Sequence, residues 1–257
     1  MDQSSVILWT AFTGIISALA TGLGAIPVHF IQAGSKSIRA YASAIAAGMM
    51  ISASVFSLAQ EGIALKTKFP AAPYIVMIGL LLGAAFFWFY DKKFANDNSE
   101  HHFAKDLSKR GYLIFLAMFV HSIPEGIAIG VGFATGNFTF GLIMAIAISV
   151  HNIPEGIAIS LPLKQDGVST ARCAWYSILS SAPQPIMAVP SAMIAWFFEP
   201  LLPIGLGFAG GAMIYLVISE LIPDALREGN KSIAAWGTML GLVGMLFIST
   251  VLNQIAH

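Results

Sequence analysis

Charge is scarce in this chain. Asp, Glu, Lys and Arg make up 10% of its 257 residues, where a soluble domain carries roughly 25%. Thirteen basic residues cancel thirteen acidic ones, so nothing hints at a nucleic-acid partner. The single cysteine, Cys173, excludes an internal disulfide and is expected simply to pack between helices. No basic region precedes the first apolar run near Val6, and no small-residue cleavage site stands out, so that run reads as a retained span. What is plentiful is apolar surface, at 57% of residues. The composition is that of an integral membrane protein.

Eight apolar stretches fit the length, approximately Val6–Ile31, Arg39–Ala64, Ala71–Tyr90, Gly111–Ala134, Thr139–Leu163, Ala171–Phe198, Pro203–Leu226 and Ile233–Ala256. The runs are continuous rather than alternating, which favours helices over barrel strands. The expected fold is all-α, a polytopic membrane protein with eight transmembrane helices in one bundle, residues 1–257 forming a single domain. Basic residues orient it. Eleven of the thirteen lie in odd-numbered loops, and only Lys66 and Lys68 lie on the other side. Positive charge stays in the cytoplasm, so both termini are expected outside, extracellular or periplasmic. The long polar loop, about 91–110, reads as a solvated linker. Its His101-His102 pair adds a candidate for transient metal capture.

The most specific signal is a repeat. His121-Ser122-Ile123-Pro124-Glu125-Gly126-Ile127-Ala128-Ile129-Gly130 recurs thirty residues later as His151-Asn152-Ile153-Pro154-Glu155-Gly156-Ile157-Ala158-Ile159-Ser160, with eight of ten positions identical. On a helix, residues four apart share a face, so each copy aims an imidazole and a carboxylate the same way. The proline between them removes the helical partner of the carbonyl at Val120 or Val150, and a kink is expected. Gly126 and Gly156 remove bulk and permit a close neighbour. Both histidines fall near mid-span. The connection Thr135-Gly136-Asn137-Phe138 makes the two spans antiparallel, levelling His121 with Glu155 and Glu125 with His151 about a pseudo-two-fold in the membrane plane. Two imidazoles and two carboxylates on one midplane pocket suit a divalent transition metal. A pure packing motif would explain the Pro and Gly, but not two costly midplane glutamates.

These residues resemble the ZIP (Zrt/Irt-like) family of divalent-metal transporters, its bacterial branch most closely. Ala46-Ala47-Gly48-Met49-Met50 and Ser219-Glu220-Leu221-Ile222-Pro223 extend the likeness. It implies metal ligation by His121, Glu125, His151 and Glu155, with Asn152 and Met50 beside them. It further implies a path past Ser57, Ser122, Gln184, Glu220 and Glu61. Family members with two adjacent metals fill the second site from the residue after each His and from an acid on the sixth span; here those positions are the neutral Ser122, Asn152 and Gln184, so one tight metal site is expected. Read from the residues alone, Met50 is packing, and Glu61 and Asp224 are solvated helix-end charges.

The function expected is uptake of a divalent transition metal into the cytoplasm, with zinc first and iron, manganese, cobalt and cadmium compatible. The metal ion is bound substrate. The other partner is the lipid bilayer of a plasma or bacterial inner membrane. Sequence leaves a homodimer open. The rival is an intramembrane metal-dependent hydrolase, but His-Glu-x-x-His is absent and no third histidine lies at midplane depth. An organic solute is disfavoured because the pocket lacks aromatic and Arg contributions.

Overall fold

A computed structural model describes residues 2–30, 36–94 and 107–255; the His101-His102 pair lies outside them. Among the described residues there are eight helices long and apolar enough to cross a membrane, and no strand. They are α1 (Gln3–Phe30), α2 (Lys36–Thr67), α3 (Ala72–Phe89), α4 (Gly111–Ala134), α5 (Phe138–Gln165), α6 (Thr170–Phe197), α7 (Glu199–Glu228) and α8 (Lys231–Gln254). Every helix coincides with an apolar run read from the sequence. Irregularities fall where the chain carries Gly, Pro or Ser. α1 steps at Gly24, and α6 breaks after Ser180 and restarts at Pro183, whose missing N–H costs nothing in a first turn.

Between 61% and 67% of the most apolar stretch of α2, α4, α5 and α7 is buried, against 28% for α3 and 17% for α8. The first four are therefore the inner wall, and α3 and α8 face outward. α3 packs on α7 and α8 on α2; α1 packs on α5 and α6 on α4; α5 touches α2 and α4 touches α7. Exchanging α1 with α6, α2 with α7, α3 with α8 and α4 with α5 reproduces this set. Since each exchange pairs an odd with an even span, the two halves are inverted. The inverted pair α2 and α7 also share a backbone feature, a π-helical stretch at Ala53–Ala59 and Val217–Leu221. Such widened turns are frequent at functional sites.

The α4–α5 connection is a tight turn. Gly136 adopts φ 80°, a conformation that L side chains rarely take. The Asn137 side chain caps α5 by accepting from Phe140 N at 3.1 Å. This fixes the two repeat-bearing helices as antiparallel neighbours. Both helices run unbroken through Pro124 and Pro154. Cys173 is buried among Ile159, Leu163 and Val168, as expected.

Candidate metal centre

The repeat glycines set how closely the neighbours approach. A Cβ on Gly126 would lie 2.5 Å from the Gln184 carbonyl oxygen, and one on Gly156 only 1.9 Å from that of Thr21. Only Gly allows α6 and α1 to come this near. The approach brings the side chain of Gln184 to Glu125, and that of Ser17, one turn before Thr21, to Asn152.

Glu125, His151 and Glu155 are buried and each offers a ligand atom, all within 4.8 Å of one another. His151 Nε2 donates to Glu125 Oε1 at 3.3 Å, so the imidazole of one repeat meets the carboxylate of the other. His121 falls outside this three-residue group. Its Nδ1 donates to the Ala117 carbonyl, which can only accept, at 2.7 Å. That bond leaves the lone pair on Nε2, the usual preparation of a metal-binding imidazole. His121 also lines a cavity of about 280 Å³ that continues past Ser43, Glu220 and Asp224 to Arg227 at the surface. The expected quartet is thus a compact trio with one histidine at the head of a cavity.

Buried polar atoms are normally satisfied, and each orphan costs about 1–3 kcal/mol. Among the described residues seven buried side-chain N or O atoms have no hydrogen-bond partner, and four belong to the repeats: His121 Nε2, His151 Nδ1, Asn152 Oδ1 and Glu155 Oε1. All four are nitrogen or oxygen atoms of the two repeats, and His151 and Glu155 belong to the compact trio, so the repeats hold polar groups that the protein itself does not satisfy.

The remaining expected residues are dispersed. Met50 is fully buried in the apolar cluster shared with Leu58, Ile129 and Met144, as a packing residue would be. Ser122 Oγ is buried and donates to the Met118 carbonyl at 3.2 Å, bending back on its own helix. Gln184 Nε2 donates a short hydrogen bond to Glu125 Oε2, joining α6 to the trio. Ser57 is half-buried within the π-helical stretch of α2, and Glu61 half-buried in the turn that follows. Glu220 sits in the π-helical stretch of α7 and lines the cavity.

Asp224 corrects the sequence reading. It is not a solvated helix-end charge: Arg39 Nη2 donates to it at 3.0 Å, Ser43 Oγ at 3.0 Å, and Arg227 also pairs with it. Arg39 is 5% exposed and reaches Glu228 as well, at 3.0 Å. Arg39 and Ser43 were missed because their partners lie more than 180 residues away. Ser17 was missed too. A signal for it existed: Thr10, Thr13, Ser17 and Thr21 recur at helical spacing and are all buried, a hydroxyl stripe on one face of α1.

Comparison with known proteins gives the family. Residues 90–249 match the family described as ZIP Zinc transporter. The chain is 33% identical to zinc transporter GufA of Myxococcus xanthus over 93% of its own length and 97% of that protein. It is 45% identical to zinc transporter ZIP11 of Homo sapiens over 56% of this chain, covering 44% of that relative. A longer Arabidopsis thaliana relative is 36% identical over the whole chain, which covers 40% of it. Thus the chain spans less than half the length of these two eukaryotic relatives and nearly all of the bacterial one. The chain belongs to the ZIP zinc transporter family.

Proposed function

We propose that this chain carries a divalent transition metal, zinc first, across a membrane through the site made by Glu125, His151 and Glu155, with His121 passing the ion to the inner cavity. The observation that carries this reading is the burial of two carboxylates and an imidazole within 4.8 Å, beside four orphaned polar atoms of the same repeats. Two carboxylates and one dication sum to zero, which a low-dielectric site demands. A second dication would leave two charges uncompensated, since Ser122, Asn152 and Gln184 are neutral. Imidazole with carboxylate suits Zn, Fe, Mn or Co, and the affinity order puts zinc above manganese and iron.

Charge supports inward transport. Arg39, Lys164, Arg172, Arg227 and Lys231 fall in odd-numbered loops or at their edges, the side that the positive-inside rule assigns to the cytoplasm. The cavity from His121 to Arg227 is then the inward exit, and both termini lie outside. A bacterial inner membrane fits the near full-length match to the Myxococcus xanthus relative.

Zinc uptake into proteoliposomes tests the proposal, comparing the wild type with Glu125→Ala/Glu155→Ala. The expected result is uptake abolished in a variant that still elutes as a folded protein. Equal uptake would make the repeats packing devices and end this reading.

A further inference from the structure

Glu125 and Glu155 occupy the same position of the two repeats, yet the fold treats them differently. Both oxygens of Glu125 are engaged: His151 Nε2 donates to Oε1, and Gln184 Nε2 donates to Oε2. Glu155 Oε1 has no partner. The inverted packing explains how the asymmetry arises. On α6 the carbonyl beside Gly126 belongs to Gln184, and on α1 the carbonyl beside Gly156 belongs to Thr21. Thr21 spends its hydroxyl on Ser181 Oγ, 2.7 Å away, instead of reaching Glu155.

The Gln184 amide is also held in one orientation. Its Oε1 accepts from Asn152 Nδ2 at 3.2 Å, and that nitrogen lies 2.9 Å from the Ser17 carbonyl and 3.1 Å from Ser17 Oγ. Ser17, Asn152 and Gln184 are each fully buried. Turning the amide over would place two oxygens against each other at Glu125 and break the bond from Asn152. The chain from α1 through α5 to α6 therefore keeps an N–H, never a carbonyl oxygen, on Glu125.

We propose that Gln184 is a specificity-determining residue of the metal site, because its N–H holds Glu125 Oε2 and opposes bidentate use of that carboxylate, leaving Oε1, which the ion takes in place of the His151 N–H. The inference rests on Glu125, His151 and Glu155 being the cargo site. A bidentate carboxylate adds an oxygen ligand without adding a residue. Zinc is content with four ligands, whereas manganese takes six, chiefly oxygen. Withholding one oxygen penalises manganese more than zinc.

Gln184→Met tests this in the full chain in lipid nanodiscs. Methionine has similar length and no N–H, and Asn152 keeps both Ser17 acceptors, so the change leaves no donor stranded. Zinc and manganese affinities are measured by chelator competition for the wild type, Gln184→Met and Glu155→Ala. The expected outcome is zinc binding kept and the manganese-to-zinc affinity ratio raised roughly tenfold, the size of one hydrogen bond to a charged group. Gln184→Leu, which also removes the N–H and adds no ligand, should move the ratio the same way; it carries the test if the methionine variant does not fold. An unchanged ratio with zinc still bound overturns the inference alone. Wild-type zinc binding that Glu155→Ala leaves intact overturns the cargo-site reading, and the inference with it.

Discussion

His151 Nε2 lies 3.3 Å from Glu125 Oε1, with both side chains fully buried, so the contact joins one repeat to the other rather than closing within either. Within a repeat, His and Glu four residues apart only share a face. Their complement comes from the antiparallel partner, and the Gly136 turn brings it there. The two copies thus meet in one buried group that could hold a metal ion, with Glu155 as its third member.

Removing either carboxylate should therefore act on the whole site. Glu155→Ala leaves a bound dication with one carboxylate instead of two. The expected loss is about 3 kcal/mol, or on the order of a hundredfold in zinc Kd. Chelator competition on the purified variant checks it; an affinity within threefold of wild type would remove Glu155 from the ligand set.

The two histidines should behave differently. His151 belongs to the compact trio, while His121 stands at the head of the cavity with its Nε2 lone pair unengaged. His151→Ala should weaken equilibrium zinc binding at least about tenfold, since even the loss of a group that only orients a ligand costs roughly 10–100-fold. His121→Ala should cut transport more than it cuts binding, since it touches the exit and not the trio. Binding and proteoliposome flux measured on the same preparations separate the two; equal losses in both assays for both variants would contradict the division.

Much of this was legible in the sequence because membrane burial makes polar residues conspicuous. Eight apolar runs gave eight helices, and the doubled motif with its short connection gave the cross-repeat His151–Glu125 pair. The expectation that Gly126 and Gly156 admit close neighbours also holds. The π-helical stretches at Ala53–Ala59 and Val217–Leu221 carried no local mark, since a widened turn depends on packing rather than on composition. The contacts of Ser17 with Asn152 were hidden for another reason. A hydroxyl in a membrane helix usually bonds to its own backbone one turn back, as Ser122 does with Met118, so a single Ser predicts nothing tertiary; the stripe of Thr10, Thr13, Ser17 and Thr21 marks a packed face without naming Asn152 as what it meets.

Close approach at the second repeat predicts a stability effect with an internal control. Gly156→Ala places a methyl 1.9 Å from the Thr21 carbonyl oxygen, a backbone atom that yields only if α1 moves. Overpacking of this kind costs about 2 kcal/mol, which for a chain of this length lowers Tm by roughly 4–8 °C. Gly244→Ala on α8 meets nothing within 4 Å and should leave Tm unchanged or raise it slightly. Thermal melts of both variants in detergent decide the point: equal Tm values would mean that α1 does not seat against Gly156.

At the other end of the cavity, Arg39 on α2 sits between Asp224 and Glu228 on α7, 3.0 Å from each. A buried cation between two carboxylates is costly to place and costlier to remove alone, because the acids then lose their buried cationic partner and keep only the exposed Arg227. Arg39→Met should destabilise the fold by about 3 kcal/mol, and it should also alter transport. Asp224 and Glu220 line the same cavity, so withdrawing the guanidinium leaves more negative charge beside the path of a departing dication. Zinc should then leave more slowly, lowering flux while binding at the Glu125–His151–Glu155 trio stays as it was. Adding Asp224→Asn to Arg39→Met takes away one carboxylate that has lost its buried partner and should restore part of both stability and flux. Melts and proteoliposome flux on the single and double variants test this together. Flux that stays low while Tm recovers would show Arg39 to act in transport itself and not by keeping the two acids from holding the ion.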